Sequence, residues 1–273
     1  MVPTFLLMLR EGLEASLIVG ILAAYVVKIG RKDALPKVLS GVAAAVVLSV
    51  AAGVLLVTTI GRLPGAVQEA FEGVAGLLAV VVLTWMLFWM RRQGQALKGE
   101  LHREANLALS SGSTAAIVGL AFLAVTREGL ETVLFLAAVL SSAGAGVPAL
   151  AGAMGGLTLA VAIGVAIFAF GIRIDLRRFF TATGVLLIFV AAGLVAFSVH
   201  ELGESGLIAN TGATFNLGRV LPETSPVGSL LAGMLGYRSA PTPLELSGYL
   251  LYLVPVLALF ALGPRLAFRQ AAA

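Results

Sequence analysis

The sequence predicts an all-α membrane protein with seven transmembrane helices, arranged as an inverted 3+3 repeat plus one additional helix. Three observations carry that prediction. The 273 residues are 59% hydrophobic and 12% charged, with a mean hydropathy of +1.03, well outside the usual range of soluble domains. Apolar runs of about 20 residues, enough to cross a hydrocarbon core about 30 Å thick, recur along the chain. The pentapeptide Arg-Glu-Gly-Leu-Glu occurs at 10–14 and again 117 residues later at 127–131, each time inside such a run.

The runs fall near 3–27, 38–60, 67–90, 114–140, 148–171, 179–200 and 246–267. No positive segment precedes the first, and after Arg10 basic residues resume only at Lys28, Arg31 and Lys32. It reads as a retained first helix with its N-terminus outside, not as a cleaved signal. The connections are short except for 201–245, where Pro222, Pro226, Pro241 and Pro243 mark one long outer loop. Within it, Ser225 to Tyr237, with Leu230, Leu231 and Leu235, reads as a short amphipathic helix lying on the outer surface.

Charge counting sets the topology. With the N-terminus outside, 13 Lys and Arg residues fall on the cytoplasmic side and three, Arg62, Arg219 and Arg238, on the outer side, as the positive-inside rule requires. The C-terminus is then cytoplasmic. The copies of the pentapeptide lie in the first and fourth helices, so one runs inward and the other outward. A single transmembrane domain, 1–273, thus holds repeat 1 at about 1–92 and repeat 2 at about 113–200, followed by the outer loop and a seventh helix at about 246–267. Phe5-Leu6 and Phe122-Leu123 extend the match between the copies.

The pentapeptides place six ionisable groups in apolar helices, which unpaired would cost on the order of 15 kcal/mol. At 100° per residue, Arg10, Glu14 and Glu11 stand at about 0°, 40° and 100° on one helix face, with Gly12 near 200° on the other. Arg10 can pair with Glu14 four residues on, and the same holds for Arg127, Glu128, Gly129 and Glu131. Gly12 lets a neighbouring helix approach closely. A pair of static salt bridges would need one carboxylate per arginine, and here each copy has a second. If the duplicated helices face each other, Glu11, Glu14, Glu128 and Glu131 converge with the charge partners Arg10 and Arg127, leaving about two net negative charges and the oxygen ligands that hard cations select.

Two more Glu-x-x-Glu pairs lie at outer helix ends. Glu69 and Glu72 open the third helix, where capping by the helix dipole is an alternative reading. Glu201 and Glu204 close the sixth beside His200, where the dipole disfavours acids. Together these five residues predict an outer entry site that concentrates cations. His102, with Glu100 and Glu104, reads as solvated loop, and Trp85, Trp89, Tyr249 and Tyr252 read as interfacial belt or packing. The chain has no cysteine, so thiolate sites are excluded, and it has no nucleotide-binding or Ser-His-Asp motif. The basic balance is explained by cytoplasmic loops and calls for no nucleic acid; membrane lipid is the expected surrounding.

Arg-Glu-Gly-Leu-Glu in the first and fourth of seven helices resembles the oxidase-dependent iron permease family, which includes the fungal high-affinity iron permease and bacterial iron-uptake permeases. Val199-His200-Glu201-Leu202-Gly203-Glu204 is similar to a motif of bacterial members, while the fungal external acidic motif has no clear copy. The resemblance implies a non-enzymatic permease of the bacterial inner membrane. It further implies an iron ion, ferric by expectation, as transported substrate, no permanently bound cofactor, and delivery by an extracytoplasmic ferroxidase or iron-binding protein. Competing readings are a proton-coupled transporter of another cation such as lead or manganese, a non-transport membrane scaffold and, more distantly, a di-metal membrane enzyme.

Overall fold

The computed structural model describes residues 1–93, 114–143, 146–170, 175–209, 212–223 and 225–270. His102, Glu100 and Glu104 lie outside the described residues. Among those described there are eight α-helices and no strand: α1 (Val2–Lys28), α2 (Leu35–Ile60), α3 (Gly65–Gln93), α4 (Thr114–Ala143), α5 (Val147–Phe170), α6 (Leu176–Glu204), α7 (Pro226–Leu235) and α8 (Pro243–Gln270). A 3₁₀ turn, Lys32–Ala34, leads into α2. Five helices, α2, α3, α5, α6 and α8, are long and apolar enough to cross a membrane. The protein is membrane-embedded. α1 and α4 match the others in length, at 27 and 30 residues, but carry the pentapeptide charges near mid-helix.

Packing follows from where the small residues fall. On α5, Gly152, Gly156, Ala160 and Gly164 recur every fourth residue and form one buried stripe against α1. On α2, Gly41, Ala45, Ser49 and Gly53 form the corresponding stripe against α4. Without side chains to hold them apart, the backbones close up. A Cβ at Gly12 would stand 2.9 Å from the Ala160 Cβ, and one at Gly129 would stand 2.7 Å from the Ser49 Cβ. Phe5 meets Gly156 and Ser16 meets Gly164, so α1 and α5 run parallel; Gly41 meets Val118 and Gly53 meets Val133, so α2 and α4 do as well. α1 also packs on α4, and α3 on α6, with α8 covering α6.

The short helix in the outer loop forms at the predicted place. Ser225 caps it by accepting from the Gly228 N–H at 3.0 Å, and Gly236 ends it at φ 66°, where a side chain would be strained. Its C-terminal end turns inward, while Val227 and Leu230 stay exposed. A Cβ on Gly193, mid-way along α6, would stand 2.6 Å from the Gly236 Cα, so the end of α7 is seated about 16 Å below the last residue of α6. Of the three leucines that read as a membrane-surface stripe, Leu230 lines a space beside α6, where two glycines let the end of the helix approach closely.

Candidate metal site

α1 and α4 cross at their pentapeptides. Arg10, Glu11, Glu14 and Glu128 are all buried, while Glu131 is partly exposed and the Arg127 side chain is 54% exposed. One ligand oxygen each from Glu11, Glu128 and Glu131 lies within 4.8 Å of the others, which makes this the carboxylate cluster suited to a cation among the described residues. Glu14 lies outside the triplet. Arg10 holds it back, with Nε 3.3 Å from Glu14 Oε1 and Nη1 3.7 Å from Glu11 Oε1. The expectation of four converging carboxylates becomes three converging and one paired with Arg10.

The two copies, identical in sequence, differ in pairing. Arg127 was expected on Glu131, four residues on, but its short bonds go to Glu128 Oε1, at 2.6 Å from Nη2 and 3.1 Å from Nε, with Glu131 at 3.8 Å. The guanidinium carbon stands 5.8 Å from the Trp89 ring centre, in cation–π range, which holds the arginine to one side. Arg10 points inward, where its Nη2 donates to Met90 Sδ at 3.3 Å. The first copy therefore keeps loose ion pairs and the second a tight, half-exposed one.

The oxygen inventory shows what the site lacks. Both oxygens of Glu11, Glu14 Oε1 and Glu128 Oε2 are buried with no hydrogen-bond partner among the described residues. Carboxylates so placed are destabilising unless a cation or a rearranged arginine satisfies them. Hard oxygen donors from two helices fit an iron, manganese or similar ion.

Above this cluster opens a cavity of about 730 Å³, with Val190 and Val139 at its depth and His200, Glu201, Glu223 and Arg238 on its walls. Met1, Val2 and Pro3 also line it, about 12 Å along α1 from Glu11. Of the predicted entry residues, His200 and Glu201 face this vestibule. Glu69 and Glu72 stand on α3 beside it, within electrostatic reach of Glu201. Their capping reading fails: α3 begins at Gly65, so neither is in its first turn, and Glu72 accepts from Gln68 at 2.8 Å instead. Glu204 closes α6. Sequence reasoning missed Met90 and Trp89, which reach the arginines from α3, and Glu245, buried beside His200.

With the site in view, comparison with known proteins is decisive. The model of the iron permease FTR1 family matches residues 1–272. The chain belongs to that family. The ferrous iron permease EfeU of Yersinia pestis is 43% identical over 265 residues, covering 96% of this chain and 93% of the relative. EfeU of Escherichia coli O157:H7 and of Shigella sonnei are each 40% identical over 264 residues, covering 96% of this chain and 95% of the relative. No solved structure matches. The family and the relatives named are iron permeases, which supports transport of iron across a membrane.

Proposed function

We propose that the protein carries iron across the bacterial inner membrane into the cytoplasm, and that the ion passes between α1 and α4 over Glu11, Glu128 and Glu131. The observation that carries this reading is Glu11, buried with neither oxygen hydrogen-bonded and within 4.8 Å of the other two donors. The ion displaces the arginines from the carboxylates, and re-pairing of Arg10 with Glu11 and Glu14 helps to expel it inward. The form taken up is ferrous, in place of the ferric ion first expected; the designation of the EfeU relatives as ferrous iron permeases supports this choice.

The reading includes seven spans, with α1 and α4 crossing alongside the five more apolar helices, N-terminus outside and C-terminus inside. It also includes an inverted repeat of α1–α3 against α4–α6. The pairings support it: exchanging the halves turns the α1 contact with α5 into the α4 contact with α2 and leaves α1 with α4 and α3 with α6 unchanged. Glu69, Glu72, His200, Glu201 and Glu204 form the entry, where an extracytoplasmic iron-binding protein would dock in place of the ferroxidase that a ferric substrate would call for.

Radio-iron accumulation by cells expressing single variants tests the proposal. Glu14→Gln and Glu131→Gln are expected to abolish uptake at wild-type membrane abundance. Normal accumulation by either would sink it, and supplying iron with ascorbate or as ferric citrate decides the redox form.

A further inference from the structure

His200 borders two spaces. On one side is the vestibule, and on the other a narrow cleft lined by Glu245 and Thr242. In the cleft, Nδ1 stands 2.9 Å from Glu245 Oε1. Glu245 is 2% exposed; its Oε2 has Arg238 Nε at 3.7 Å, and its backbone N–H donates to Thr242 Oγ1 at 3.2 Å. A carboxylate beside a guanidinium is ionised and only accepts, so Nδ1 must carry the proton it donates. In a neutral imidazole this leaves Nε2, at the ring edge away from Glu245, as a lone-pair donor, and His200 and Glu201 both line the vestibule. A histidine fixed in this way by a buried carboxylate is preset as a metal ligand.

We propose that Glu245 is a positioning residue that locks His200 with Nε2 facing the vestibule, where His200 and Glu201 take a divalent first-row metal ion before it reaches the pentapeptide glutamates. The inference rests on the proposed transport function and adds to it an imidazole-containing receiving site and the group that sets it. Imidazole with carboxylate suits borderline divalent ions, whereas an all-oxygen site shows less preference for them. Arg238 stands 3.7 Å from Glu245 and also lines the vestibule, where Glu201 and Glu223 supply the acidic charge, the latter engaged with Ser239 at 2.6 and 2.8 Å.

The chain has two histidines, so His102→Gln leaves His200 as the sole ring reporter. With isotope-labelled histidine in lipid nanodiscs, long-range nitrogen–proton spectra are expected to show Nδ1 protonated and Nε2 bare, and micromolar Mn²⁺ is expected to broaden the ring signals. An Nε2-protonated ring, or no effect of Mn²⁺, overturns the proposal. In uptake assays, Glu245→Gln and His200→Gln should each raise half-saturating ferrous iron by on the order of 10-fold with the maximal rate kept, and the double variant should add little. A fall in maximal rate at unchanged half-saturation makes Glu245 merely structural and overturns it as well. If Glu245→Gln does not insert, His200→Gln and the spectrum of the otherwise unaltered chain still decide. Absence of iron uptake by the unaltered protein would sink the transport reading while leaving the tautomer and Mn²⁺ results to be read independently.

Discussion

Removing Arg10 separates a cation-exchange site from a static ionic lock. The Arg10 side chain is 1% exposed and balances Glu11 and Glu14 at 3.7 and 3.3 Å, both buried. Breaking a buried pair by deleting one partner costs about 3–5 kcal/mol, because the other charge stays behind uncompensated. Arg10→Gln should therefore destabilise the metal-free protein by about that amount. Arg127 differs: its side chain is 54% exposed, so water can take over part of its role toward Glu128, which is 3% exposed, and Arg127→Gln should cost less than Arg10→Gln despite the identical pentapeptide. A divalent cation that takes the arginine's place should restore the first variant selectively. Ligand at one hundred times its Kd adds about 2.7 kcal/mol, and Kd itself should tighten once Arg10 no longer competes. Thermal unfolding in nanodiscs, with and without Mn²⁺ or Fe²⁺ under ascorbate, measures both effects. Equal metal-induced shifts in Tm for Arg10→Gln and the unaltered protein would refute the exchange of arginine for cation, as would equal destabilisation by the two arginine variants.

Further outcomes follow from close packing. Gly12→Leu and Gly129→Leu should each force their helix off its partner stripe, where even a Cβ stands 2.9 Å from the Ala160 Cβ or 2.7 Å from the Ser49 Cβ; radio-iron uptake should fall at least tenfold while far-ultraviolet circular dichroism stays helical. Gly193→Leu should expel α7 from the bundle. Because the chain has no cysteine, Leu194→Cys in that background can be followed with a membrane-impermeant thiol reagent, which should label it faster than in the presence of Gly193. Trp89→Leu should free Arg127 from its cation–π contact, worth about 0.5–2 kcal/mol, and reduce uptake less than Arg127→Gln does.

Length and apolarity marked every long helix because a hydrocarbon core leaves few alternatives: α4 starts at Thr114 as expected, and α6 ends at Glu204 with its acidic pair on the last turn. The spacing of Arg10, Glu11 and Glu14 likewise predicts their shared burial. A second legible signal, small residues every fourth position in α2 and α5, lies in the sequence and fixes which helices touch, yet composition alone does not single it out from the other glycines. What is not legible arises across helices. Nothing in two identical pentapeptides tells that one arginine turns to Met90 and the other to Trp89, since α3 alone makes the difference. Glu245 was hidden for a different reason: the predicted seventh helix began at 246, which left Glu245 as the last residue of the outer loop, and only the fold brings it to His200. The re-entry of α7 depended on Gly193 and Gly236 meeting at a distance of 43 residues in sequence.

Anomalous diffraction from crystals soaked anaerobically with ferrous iron, collected on either side of the iron edge, addresses the shared site of α1 and α4 most directly. A peak bounded by Glu11, Glu128 and Glu131, accompanied by withdrawal of Arg10 from Glu11, is the predicted result. Iron confined to the vestibule, with the pentapeptide ion pairs unchanged at saturating metal, would contradict it.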